Sequence, residues 1–326
     1  MPKARTVAYL CFAVVVAGCT SAIPPAASPE LGANGGRIGT RTRSLPAQLR
    51  GITYDDVSST CAATSAQLAT ERLLNKPAIR VVFDAVTPSC YAGAVAAFDR
   101  YGYTMGELVD SSAMKHYSLP QIRARVSSYL RKLGPSVDLW EIGNEVNGEW
   151  LSTVRCPRNA ECDAQARDVT SKVRAMYDAV TASGYPTALT LYYQPPKTVT
   201  PGYEMIAWER KYVPAAMHAG VSYVLVSYYE SDNGGIRPTP SQWHGLFQQL
   251  SADFPRAKVG FGEIGMDKPI VRSTLHRATG IFTYYQGLRF PDVPAYTRAG
   301  FWWNAAEDLV PSTKWPSFFG EVSKNL

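Results

Sequence analysis

Several common routes to function are missing from this 326-residue sequence. Its most membrane-like stretch, Thr6–Gly18, holds only 13 mostly apolar residues, and crossing a bilayer core of about 30 Å takes roughly 20. Histidine is scarce: His116, His218, His244 and His276 are scattered without ligand spacing, so no metal site is expected. Neither a G-x-S-x-G nucleophile elbow nor a phosphate-cradling loop occurs. Gly260-Phe261-Gly262-Glu263-Ile264-Gly265 fits the letter of a dinucleotide fingerprint. Its context fails, because a Glu would face the pyrophosphate, Pro269 interrupts the helix that should follow, and no acid lies near position 285 to hold a ribose. No cofactor is expected.

An excess of positive charge is also lacking in the globular part. The formal net charge is +6, but Lys3, Arg5, Arg37, Arg41, Arg43 and Arg50 face only Glu30 within the first 50 residues. That leaves 27 basic against 26 acidic side chains over 51–326, too even a balance to attract nucleic acid. What the chain does have is a hydrophobic content of 46%, enough for a large core, together with 19 Tyr and 7 Trp.

Lys3 and Arg5 ahead of the short apolar run have the layout of a secretory signal over 1–18. Val16-Ala17-Gly18-Cys19 resembles a bacterial lipobox, with Val where Leu is usual, so Cys19 is the expected lipidation site and a lipid anchor the expected membrane contact. Cleavage nearer Ser21–Ser28 is the alternative. Residues 19–49, rich in Pro, Gly, Ala and Arg with no hydrophobic period, read as a flexible tether. Setting Cys11 and Cys19 aside leaves Cys61, Cys90, Cys156 and Cys162, an even number in an exported chain. Of the three possible pairings, Cys61–Cys90 with Cys156–Cys162 is the one expected; free thiols are the alternative.

From residue 50 onward, short apolar runs alternate with amphipathic segments. The strands expected are Arg50–Tyr54, Ile79–Phe83, Thr104–Val109, Asp138–Ile142, Ala188–Tyr192, Tyr223–Ser227, Lys258–Gly262 and Gly300–Trp303. Between them lie expected helices such as Gln121–Leu133, Ala164–Ser183, Glu204–Ala219, Ser241–Asp253 and Ser273–Gly287. Ser118-Leu119-Pro120-Gln121 has the form of a capping box with Pro in the first turn, and Gly134 and Gly184 stand where helices should stop. Eight such units over 50–326 predict an α/β fold, a single (β/α)8 TIM barrel; a doubly wound open sheet shares the alternation. In a barrel, chemistry gathers just after the strand ends.

Two strand ends stand out. The fourth strand runs Leu139-Trp140-Glu141-Ile142-Gly143 into Asn144-Glu145, and the seventh, Val259-Gly260-Phe261-Gly262, runs into Glu263. In this order they resemble the clan A glycoside hydrolases, retaining enzymes on a (β/α)8 barrel. The resemblance covers essentially all of 51–326 and implies that Glu145 is the acid/base and Glu263 the nucleophile. The chemistry needs both: one carboxylate attacks the anomeric carbon while the other protonates the leaving oxygen and later deprotonates water. The resemblance further implies that Asn144 donates to the sugar 2-hydroxyl and that Arg80, a cation inside the apolar strand Ile79–Phe83, holds the nucleophile. Strand six ends Tyr228-Tyr229-Glu230, where the clan usually has a His and a Tyr; one Tyr is expected to bond the nucleophile and the other to pack, and both stay candidates. Of Trp302 and Trp303 the second is preferred as sugar platform, with Trp150, Tyr54 and Tyr193 as further aromatics. Asp55, Asp84, Glu107, Glu141, Glu230 and Asp308 are competing acids, Glu107 first among them.

The function expected is therefore retaining hydrolysis of an extracytoplasmic polysaccharide or oligosaccharide. A non-catalytic carbohydrate-binding lipoprotein on the same barrel is the alternative.

Overall fold

The computed structural model describes residues 43–55, 63–84, 87–148, 160–195, 199, 202–298 and 300–326. Eight parallel strands, β1 (Arg50–Tyr54), β2 (Ala78–Val82), β3 (Tyr103–Glu107), β4 (Leu139–Gly143), β5 (Thr187–Tyr192), β6 (Tyr223–Tyr228), β7 (Lys258–Gly265) and β8 (Gly300–Trp303), close into a barrel in chain order. β8 pairs back onto β1, so no strand edge is left open and the open-sheet alternative is excluded. The expected strands match these to within a few residues.

The helices begin where their sequences provide caps. Ser118 accepts from the backbone N–H of Gln121 and the Gln121 side chain returns a bond to Ser118, with Pro120 in the first turn of Leu119–Leu133. Thr239 and Gln242 repeat the arrangement at Pro240–Asp253. The expected single helix Glu204–Ala219 is instead two, Met205–Tyr212 and Ala215–Gly220. Pro214 lies between them, and it has no N–H to continue the helical ladder. Among the described residues no helix is long and apolar enough to cross a membrane.

Strand alternation sorts the barrel into two cores. Residues facing outward, such as Ile52, Ile79, Trp140, Val226, Phe261 and Trp302, pack under the helices in one large cluster. Facing inward near the strand beginnings is a small apolar plug that includes Ala78, Met105, Leu139, Ala188, Leu225 and Phe301. Two residues further along each of those strands stand Arg80, Glu107, Glu141, Thr190, Ser227 and Trp303. An apolar floor thus supports a polar layer at the strand ends, and this is where the site lies.

A buried acid outside the barrel has a consequence for stability. Glu71, at the end of helix Ser65–Glu71, accepts a 2.6 Å bond from the Tyr54 hydroxyl. Burial pushes its carboxyl up to about 7, although the Tyr54 bond pulls the other way. The folded state therefore holds this proton more tightly than the unfolded chain does. The resulting stabilisation is present below the ordinary carboxylate range and is lost as pH rises through about 7. A shift from 4.5 to about 7 bounds the effect at roughly 3 kcal/mol. In thermal melts from about pH 5 to about pH 8, Glu71→Gln is expected to flatten the decline in melting temperature; a slope equal to that of the wild type would refute this.

Candidate active site

Two backbone irregularities aim the key carboxyl groups. On β4 the pairing to β5 slips between Glu141 and Gly143, immediately before Asn144-Glu145. On β7 the pairing to β6 slips between Phe261 and Ile264, around Glu263. Bulges of this kind re-aim side chains at barrel rims. Glu145 itself has φ of 43°, in the left-handed region that non-glycine residues seldom occupy, and its carbonyl accepts a 2.7 Å bond from Gly148 N–H. Asn147 ties this loop to β5 by exchanging bonds of 2.8 and 2.7 Å with the Tyr192 backbone. Gly265 lets β7 lie close to β8 at Trp303, since a Cβ there would sit 2.3 Å from the Trp303 carbonyl oxygen.

Glu263 is the hub. Arg80 Nη1 lies 2.7 Å from its Oε1, Asn144 Nδ2 donates to the same oxygen at 3.1 Å, and the Tyr229 hydroxyl donates to Oε2 at 2.6 Å. Its own N–H donates to Ser227 Oγ at 3.2 Å. Three donors thus converge on one carboxylate. Tyr229 is placed in turn by Asn233, whose Nδ2 donates to the Tyr229 carbonyl at 2.9 Å. Burial, and then the charges of Glu263 and Glu145, hold the Tyr229 hydroxyl well above the usual phenol range. Glu145 and Glu263 therefore both lie within electrostatic reach of one phenol.

Arg80 holds more than Glu263. Its Nε donates to Glu141 Oε2 at 2.6 Å and its Nη2 lies 2.7 Å from Glu107 Oε2. The Thr190 hydroxyl also donates to Glu141. Burial disfavours the guanidinium charge, but Glu107, Glu141 and Glu263 together outweigh it and raise the Arg80 pKa well above its ordinary value. Glu107 and Glu141 have no exposed surface, whereas Glu263 keeps 4% and Glu145 3%. Only the latter pair can meet a ligand entering from the rim. Glu107, the first of the competing acids, is thereby removed as an attacking group.

Of the paired aromatic candidates, one of each faces the rim. Tyr229 reaches Glu263, while Tyr228 lies outside the site: its hydroxyl donates to the Ile236 carbonyl and its ring packs against Trp243 and Tyr285. Strand alternation forces this, because neighbouring residues point to opposite faces. For the same reason Trp302 is buried between Phe282 and Phe318 with its indole N–H on Asp308, and Trp303 is left half-exposed at the strand end. Tyr54, stacked on Phe98 and bonded to Glu71, is core rather than ligand surface. Tyr193 packs on Trp243 and Trp150 lies outside the described residues.

The other acids divide similarly. Glu230 is paired with Arg237, and Asp308 receives Trp302 and the Ile270 N–H, so both are structural. Asp84 is exposed just past β2, where its N–H donates to the Tyr91 hydroxyl. Asp55, at the end of β1, does belong to the site's field. Burial, then Asp84, Asp110 and Glu263, push it up to about 7. Thr190, Ser227 and Asn233 are not singled out by the sequence; inward positions on β5 and β6 hint at the first two, and Asn233, in the turn after β6, carries no such signal. Beside the site, a cavity of about 880 Å³ opens along Glu230, Gly234, Met266, Lys268 and Arg277, within the range of ligand sites. It adjoins the residues that follow Tyr229 and Gly265 and is not lined by the two carboxylates themselves.

Among the described residues no group of His, Cys, Asp and Glu is placed to hold a metal ion. Cys90 and Cys162 are each disulfide-bonded; Cys61 and Cys156, the partners expected for them, lie outside the described residues, as does Cys19.

Against known proteins, no family model and no curated sequence matches the chain. Solved structures do. Gas2p of Saccharomyces cerevisiae matches with a TM-score of 0.54 at 13% identity, over 86% of this chain and 61% of that one. Gas2p in complex with laminaritriose and laminaritetraose matches with a TM-score of 0.52 at 13% identity, over 85% and 63%. What is shared is the fold. The resemblance to clan A glycoside hydrolases is thus met at the level of the barrel, and the chain spans less than two thirds of the Gas2p chains it matches.

Proposed function

We propose that this protein is a retaining glycoside hydrolase acting on a polysaccharide or oligosaccharide outside the cytoplasm. The observation that carries the reading is the environment of Glu263, a carboxyl group at the strand end held by Arg80, Asn144 and Tyr229, with Glu145 next in sequence to Asn144. Glu263 attacks the anomeric carbon and forms a glycosyl-enzyme ester. Glu145 gives its proton to the departing oxygen, then takes one from the water that releases the sugar. Tyr229 and Arg80 hold the attacking carboxylate in place, and Asn144, already bonded to Glu263, serves as the donor to the sugar 2-hydroxyl. The half-exposed face of Trp303 offers a platform for a pyranose ring. The adjoining cavity has room for further sugar units.

Residues 1–18 as export signal, Cys19 as lipid anchor, 19–49 as tether, 50–326 as catalytic barrel, and the pairings Cys61–Cys90 and Cys156–Cys162 complete this reading. Laminari-oligosaccharides, found with Gas2p, are the first substrates to try. The test is to follow hydrolysis of a glycan panel by proton NMR and read the anomer released first. Retention is expected. An inverted product would overturn the mechanism, and binding without turnover of any glycan would favour the non-catalytic carbohydrate-binding protein.

A further inference from the structure

The buried layer beneath Glu263 has an imbalance of charge. Three carboxyl groups, Glu107, Glu141 and Glu263, lie within 2.6–2.7 Å of the single guanidinium of Arg80. With all three ionised, the group would carry two uncompensated negative charges in a region almost closed to water, and such burial costs several kcal/mol per ion. Among the described residues, the other titratable groups that reach the cluster are Asp55 after β1, Asp110 after β3, Glu145 after β4 and Tyr229 after β6. They are acids and a phenol, so they add no positive charge. Among the described residues a proton is what remains to offset the excess.

The pattern of donors decides where. Glu263 faces Arg80, Asn144 and Tyr229; Glu141 faces Arg80 Nε and the Thr190 hydroxyl; Glu107 has Arg80 Nη2 as its one charged contact. Donors stabilise the ionised form, so the proton settles on the carboxyl that has fewest. Resting on the glycosidase reading of Glu263, we propose that Glu107 and Glu141 are positioning residues of unequal charge. Glu107 is a neutral acid, which leaves the cluster one net negative charge in place of two. Glu141 is an anion that fixes the plane of Arg80 and keeps Glu263 from being over-stabilised by it. Burial agrees: against the opposing pull of Arg80, it and the charges of Glu141, Asp110 and Glu263 hold the Glu107 carboxyl well above the usual range.

The two isosteric variants should then behave differently. Glu107→Gln replaces one neutral group by another and leaves the charge of the cluster unchanged. Glu141→Gln removes a negative charge from the guanidinium that also holds Glu263, and so changes the field at Glu263. The full-length protein, labelled with carbon-13 at the glutamate carboxyl, reports this directly by NMR titration of wild type and both variants. The expected result is a signal that is protonated at neutral pH in the wild type and absent from Glu107→Gln, with the Glu263 signal displaced only in Glu141→Gln. A Glu107 signal ionised at neutral pH, or a Glu263 signal that moves in Glu107→Gln and not in Glu141→Gln, would overturn the proposal. The titrations need no turnover, so a protein inactive on every glycan would defeat the glycosidase reading while these signals still decided the charge assignment.

Discussion

Glu263→Ala is expected to lower kcat by roughly five orders of magnitude, the scale on which loss of a covalent nucleophile acts, while glycan binding measured by calorimetry stays within a few-fold. The reason lies in what surrounds it. Arg80, Asn144 and Tyr229, from three different strand ends, all contact this one carboxylate. Glu107 and Glu141 share Arg80 but have no open surface, so neither can take over the attack. Alanine leaves a gap at the strand end that a small anion such as azide can enter, and azide should restore turnover of activated glycosides with inverted products. A variant that retained ordinary hydrolysis would show that the attack belongs elsewhere.

Glu145→Gln is expected to slow unactivated glycosides by about 10²–10⁴-fold, the usual contribution of a general acid, and to leave dinitrophenyl glycosides much less affected. Glutamine keeps the shape and the left-handed backbone at position 145 but has no proton to give. A leaving group that departs easily does not need that proton, so the penalty should rise steadily with the pKa of the leaving group. The basic limb of the pH–rate profile should vanish in the same variant. Equal losses across all leaving groups would mean that position 145 serves binding rather than proton transfer.

Much of the architecture could be read before any coordinates. β1 and β8 begin and end where their apolar runs do, and the capping residues Ser118 and Thr239 sit at real helix starts. The helix expected over Glu204–Ala219 was misjudged because its apolar period continues through Pro214, whose missing N–H outweighs the pattern. The candidate site was legible to a lesser degree. A cation in the middle of an apolar strand marked Arg80, and acids directly after apolar strands marked Glu145 and Glu263. Neighbouring pairs resisted, since Tyr228 and Tyr229, or Trp302 and Trp303, are nearly alike in composition and differ only in the face they take. That face follows from alternation counted from the inward residues Leu225 and Phe301, and which residues point inward is fixed only when the barrel closes.

The order of eight strands, their apolar faces and the presence of an acid at the ends of the fourth and seventh belong to the amino-acid sequence alone, because alternation and turn residues act over a few neighbours. Which carboxyls meet a ligand and which are sealed beneath it was decided only by closure of the barrel. Closure brings Arg80 from β2 against acids from β3, β4 and β7 at once. One guanidinium shared among three distant strands is a property of the closed ring, and no stretch of sequence contains it.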